Sequence, residues 1–104
     1  MPATVLPLID RQIRTAINER RLVELVYGRH RRIVEPHDYG VRRGVPKLLV
    51  YQVRGDSAGP VPGWRELDVP KIGDFLLLDE TFPGGRGTEH DEHKSWDRVY
   101  MRVA

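Results

Sequence analysis

Cysteine is absent from this 104-residue sequence. Disulfides, thiolate metal sites and a cysteine nucleophile are therefore excluded. Long apolar runs are missing too: stretches such as Leu76-Leu77-Leu78 are far too short to cross a bilayer. Met1 to Leu8 shows no basic start followed by an apolar stretch, so no secretory leader is expected and a cytoplasmic location is the default. No internal repeat or coiled-coil heptad is visible. There is no serine-hydrolase elbow, no glycine-rich phosphate loop of the Walker type and no zinc-protease helix motif. Ser57 and Ser95 are the only serines, both in polar, loop-like contexts. The neighbouring carboxylates Asp79 and Glu80 would point to opposite faces of a strand, which defeats paired acid–base work. These gaps point away from catalysis and toward binding, with no cofactor implied.

What is present fits one domain over residues 1–104, large enough for one modest core. The formal net charge is only +2, but it is unevenly spread. Residues 1–54 hold 11 Lys/Arg against 5 Asp/Glu, whereas residues 55–104 hold 6 against 10. A basic front half suits an anionic partner such as nucleic acid or a nucleotide; it equally suits a barrel that merely solvates two differently charged faces.

Leu6, Ile9, Ile13, Ala16 and Ile17 recur at three- and four-residue steps and predict a helix over about 7–20. Pro7 suits its first turn, where the missing N–H has no helical partner anyway. The period then changes to two. Val23, Leu25 and Tyr27 read as a strand, Gly28 as a turn, and Arg32 to Glu35 as a returning strand stopped by Pro36. Tyr39 to Arg42 is a third short extended piece, closed by a turn at Arg43-Gly44. Lys47 to Val53 is the strongest strand, rich in bulky and β-branched residues. Arg54 to Gly63 is the clearest loop. Trp64 to Val69, Phe75 to Leu78 and Trp96 to Val103 complete the strands. One helix followed by short strands at close intervals predicts a mostly β, α+β domain: a barrel over about 22–82 and a C-terminal extension over about 83–104 carrying a final strand.

Two basic clusters stand out. Arg29, Arg31 and Arg32, with His30 between, form the densest run, and Arg42-Arg43 a second. Side by side on adjacent hairpins they could track a phosphate backbone. Trp64, Tyr39 and Tyr51 are candidate stacking faces for unpaired bases, or core residues. His37, after Pro36, could bond a ligand or brace the turn. His90 and His93, with Glu89, Asp91 and Glu92, have metal-ligand spacing in a polar stretch without cysteine, and no metal site is assigned.

Several blocks resemble the WYL domains of bacterial regulators. Arg32-Ile33-Val34-Glu35-Pro36-His37 is similar to that family's Arg-x-Val-Glu-Pro block. Gly44 to Gln52 resembles the strand carrying the Trp-Tyr-Leu tripeptide, and Arg65-Glu66-Leu67-Asp68-Val69-Pro70-Lys71-Ile72 the family's later arginine block. Ala16 to Tyr27 fits the usual start, so the resemblance covers roughly residues 10–82. It implies a small Sm-like, SH3-type barrel behind an N-terminal helix, used in transcription regulation to sense nucleic acid or nucleotide-like ligands. By position it assigns Arg65, Lys71 and Lys47 to the ligand patch. Strand alternation puts Arg65 on the apolar side with Leu67 and Val69, so it must sit at a barrel mouth or pair with an acid such as Glu35 or Asp68. Lys47, Leu48 and Leu49 stand where the family has Trp-Tyr-Leu, and no helix-turn-helix is expected ahead of the domain. The second expectation is therefore a protein–protein or homo-oligomer module with a decayed patch.

Overall fold

The computed structural model describes residues 7–86 and 95–104. Helix α1 (Pro7–Glu19) leads into six strands: β1 (Arg21–Tyr27), β2 (His30–Arg42), β3 (Val45–Gly55), β4 (Gly63–Asp68), β5 (Gly73–Thr81) and β6 (Arg98–Arg102). A single 3-10 turn, Val69–Lys71, joins β4 to β5. The helix follows the apolar stripe. Ile13, Ala16 and Ile17 are buried and Ile9 packs beside them. Leu6, the first residue of the expected stripe, lies outside the described residues. Arg20 ends the helix in the left-handed region (φ 52°) while its N–H reaches back to the Ile17 carbonyl.

All strand pairings are antiparallel, in the order β4-β3-β2-β1-β5, with β6 added to β2. Two long strands organise the sheet. One edge of β2 pairs with β3 from Arg32 to Arg42. The other edge is divided: β1 covers its first half (Val23 opposite Val34) and β6 its second (Asp38 opposite Arg102). The first part of β3 carries β4. The sheet is thus mostly β, as expected, but its hydrogen bonding is open, because β4 and β5 do not pair with each other.

Pro36 does not stop the strand. The second and third expected strands are one, β2, because the missing N–H falls in the gap between β1 and β6 on the divided edge. The register with β3 shifts between Pro36 and Asp38, a bulge centred on His37, whose carbonyl accepts from the Val103 N–H at 2.8 Å. The loop expected from Arg54 starts later, since β3 continues to Gly55. Both long hairpins use two-residue turns with positive φ at each position, Gly28-Arg29 and Arg43-Gly44, whose twist matches that of the flanking strands. Gly40 permits the close approach of β6: a Cβ there would run into the Arg98 carbonyl.

One face of the sheet packs on the helix. Val23, Leu25, Val34, Tyr39, Leu48, Val50, Leu67, Val69 and Phe75 form the core with Ile13, Ala16 and Ile17. Tyr39 is wholly buried and its hydroxyl donates to Asp10 at 2.6 Å; Arg14 completes the corner by pairing with Asp10. By alternation, Leu22 and Leu49 belong to the other face, where Phe82 is buried against His37. Among the described residues no helix is long and apolar enough to cross a membrane.

Candidate functional site

Arg32 projects from β2 at the open end of the core face and is only 7% exposed. A buried guanidinium needs hydrogen bonds for its donors. Its Nη1 donates to Gln52 Oε1 at 2.9 Å and to Ser57 Oγ at 3.1 Å, while Nε and Nη2 donate to the Tyr27 carbonyl at 3.4 and 3.3 Å. Arg65, on β4, meets it there. Its Nη2 donates to the same Ser57 Oγ at 3.2 Å and to the Pro60 carbonyl, and its Nη1 donates to the Trp64 carbonyl at 2.9 Å. Gly59 N–H adds a third bond to Ser57 Oγ at 3.2 Å. Three donors therefore converge on one hydroxyl oxygen with two lone pairs.

Neither arginine makes an ion pair among the described residues. Burial, followed by the charge of Arg65, pulls the pKa of Arg32 below its ordinary value. The acid that acts on Arg32 is Asp56, whose carboxylate is bonded to His30 Nδ1 at 2.9 Å and to the Ser57 N–H at 3.0 Å. The His30 contact lowers the Asp56 pKa. The expected acid partners of Arg65, Glu35 and Asp68, do not reach it; its partners are two carbonyls and a serine. Arg65 does lie on the core-facing side of β4, opposite Val50, and is half-buried there, but the sheet it edges is open and not a closed barrel.

The other expected residues do not join this pair. Lys47 pairs with Asp68, and Lys71 approaches the same carboxylate at 3.5 Å. The Lys47 hydrogen bond is the main reason the Asp68 carboxyl titrates below its usual range. Arg31 lies between two acids, Glu24 at 2.7 Å and Asp74 at 3.1 Å. Arg29 is exposed at the β1–β2 turn with a left-handed backbone (φ 68°). Arg42 reaches across to Glu66 at 3.0 Å.

His37 is wholly buried on the opposite face, with Nε2 3.1 Å from Glu35 Oε1 and its ring against Trp64 and Phe82. It braces the bulge, as one of its two readings expected. Tyr39 is core, and the ring of Tyr51 lies beneath the Arg86 guanidinium at 3.9 Å. Glu89 to His93 lie outside the described residues.

A second charged centre was not anticipated. Glu35, 4% exposed, receives two bonds from Arg86, at 2.7 and 2.8 Å. Burial alone would raise the Glu35 pKa, but the bonds from Arg86 and His37 outweigh it and hold the carboxyl below its usual range. A cavity of about 290 Å³ adjoins this pair, lined by Glu35, Pro83, Gly84, Gly85 and Arg86. Sequence reasoning also passed over Ser57 and Gln52. Gln52 carries a signal in retrospect: it continues the core-facing alternation of Leu48 and Val50 as a lone polar residue, and it is fully buried.

No protein-family model matches this chain, and no curated protein or solved structure matches it. The similarity to WYL domains rests on the residue blocks quoted above.

Proposed function

We propose that the protein is a non-catalytic binding module for an anionic, phosphate-bearing ligand, a nucleotide or single-stranded nucleic acid, held by Arg32 and Arg65. One observation carries the reading: two guanidiniums meet on a single serine hydroxyl, neither with an ion pair among the described residues. Positive charge held close together by neutral acceptors is available to an anion in a way that charge already paired with a carboxylate is not. The resemblance to WYL domains points the same way, since Arg65 falls on the ligand-patch arginine. In this reading the bent pair β2–β3 is an opened form of the Sm-like, SH3-type barrel, and the module acts in the cytoplasm as the sensing part of a regulator. Lys47, Lys71 and Arg31 then contribute fold and surface charge rather than direct contacts.

The test is fluorescence anisotropy of labelled single-stranded DNA and RNA at low and physiological salt. Binding that weakens with salt and falls at least tenfold in Arg65→Ala, with unchanged circular dichroism, is expected. Equal binding by the variant overturns the site.

A second reading, docking to a protein partner or a second copy, is favoured by the neutralised lysines and by Leu76 and Val99, which stand half-exposed on β5 and β6. A salt-insensitive oligomer that binds no oligonucleotide would select it.

A further inference from the structure

We infer that the anion taken by Arg32 and Arg65 is a terminal phosphate monoester rather than an internal phosphodiester. The inference rests on the anion-binding reading above and narrows it. Three features of the site support it.

The first is donor number. Arg32 Nη1, Arg65 Nη2 and Gly59 N–H now converge on Ser57 Oγ at 3.1, 3.2 and 3.2 Å. A phosphate monoester presents three non-bridging oxygens, each a strong acceptor, whereas a diester presents two. An anion seated where the hydroxyl now sits gives each donor its own oxygen and relieves the crowding on a two-lone-pair atom.

The second is charge. Two guanidiniums share the site without an ion pair among the described residues, and the acid that acts on Arg32, Asp56, is bonded to His30. A monoester carries close to two negative charges at neutral pH and balances both arginines. A diester carries one and leaves a positive charge uncompensated beside the nearly buried Arg32.

The third is access. Arg32 lies behind the loop of residues 56–62, whose tip, Ala58 to Pro62, is exposed. An internal phosphate brings a sugar on both sides and must thread the whole strand past this loop. A chain end or a free nucleotide brings a sugar on one side only. On binding, Arg65 Nη2 leaves the Pro60 carbonyl and Ser57 gives up its place between the forks, so the loop must move outward.

The test uses the full chain and small probes. Phenyl phosphate, phenyl sulfate and phenyl methyl phosphate are titrated by amide NMR. The sulfate keeps three terminal oxygens with one charge, and the diester has two oxygens and one charge. Phenyl phosphate is expected to bind at least tenfold tighter than either, with the largest shifts at Ser57, Gly59 and Arg65. Arg65→Lys, which keeps the charge but loses the planar fork, is expected to lose most of that preference. In parallel, 5′-phosphorylated and 5′-hydroxyl oligonucleotides are compared with a nucleoside monophosphate. A tenfold advantage for the phosphorylated strand over both supports a strand end as the source, and equal binding of strand and mononucleotide supports a free nucleotide. Equal affinity for monoester, sulfate and diester overturns the inference while leaving the anion site intact. Shifts centred away from Ser57 and Arg65, or no binding of any probe, overturn both.

Discussion

Two arginine centres occupy opposite faces of the same sheet, and they are built on opposite terms. Arg86 is paired with a buried carboxylate that it shares with His37, making two bonds to Glu35 with the Tyr51 ring beneath it. Arg32 and Arg65 have each other, with a serine hydroxyl between them and carbonyls around them. The first arrangement spends its charge internally and holds the chain after β5 against β2 and β3. The second holds like charges together on neutral partners, which supports the fold only weakly; in the proposed function it is this charge that the ligand takes. Counting basic residues does not separate the two cases; the partner of each one does.

The comparison is broken most severely at Glu35. Arg86→Ala leaves a nearly buried carboxylate beside the His37 ring without its guanidinium. Removing one member of a buried pair costs about 3–5 kcal/mol; Arg86 is 40% exposed, so water can replace part of it and roughly 2–3 kcal/mol is expected in urea unfolding. The loss depends on pH. Glu35 titrates below its ordinary value in the folded protein, so its contribution is complete above about pH 4.5 and disappears as pH falls through the lowered folded value. The gap between wild type and Arg86→Ala should therefore narrow on acidification. A constant gap from pH 7 to pH 3 would show that Arg86 acts through packing alone.

A smaller effect is expected at the other centre. Arg32→Met removes the donor facing Gln52 Oε1 and the Tyr27 carbonyl, and about 1–2 kcal/mol should be lost. The sharper measurement is a pair of double-mutant cycles. For Glu35 with Arg86 the double variant should lose less stability than the two single losses added together, because the pair attracts. For Arg32 with Arg65 it should lose more than that sum, because each single variant already relieves the repulsion. The same sign in both cycles would erase the distinction drawn here.

Next comes stabilisation by a small anion. Inorganic phosphate at several times its Kd should raise the Tm of the wild type and of Arg86→Ala by a few degrees, corresponding to about 1 kcal/mol, and leave Arg65→Ala unmoved. Equal shifts in all three would indicate a general salt effect. The smallest change is expected at Arg54 and Glu80, a well-aligned pair at 2.8 Å but on the open surface. Arg54→Ala should leave the urea midpoint unchanged within error.

Much of the architecture was legible because it is local. The spacing of Ile9, Ile13 and Ile17 fixes the helix face, and alternation through Val23 and Leu25, or Leu48 and Val50, fixes which side of each strand is core. Pro36 misled because a proline is judged by its own missing N–H, whereas its tolerance depends on strands far away that leave that position uncovered. Closure of the sheet was equally out of reach, since it depends on whether β4 and β5 meet. At the site, alternation placed Arg65 on the core-facing side of β4. Its loop partners, Ser57 and Pro60, could not be foreseen, because they come from the turn of a loop rather than from a strand register. Nor could the sequence show that Asp68 would engage both Lys47 and Lys71, or that Arg86 would reach Glu35, 51 residues earlier.

The divided edge of β2 also has a consequence for the order of folding. Strands β1 to β4 are joined as successive hairpins, two of them through two-residue turns, so their pairing needs little loop closure and can form within microseconds. Pairing Asp38 with Arg102 must wait for a far longer loop to close. Until it does, the stretch from Asp38 to Val41 is an unpaired strand edge in an otherwise assembled sheet, open to capture by the β6 segment of another molecule. Slow, dilute refolding therefore favours the monomeric fold, and concentrated refolding favours exchange of the last strand between chains.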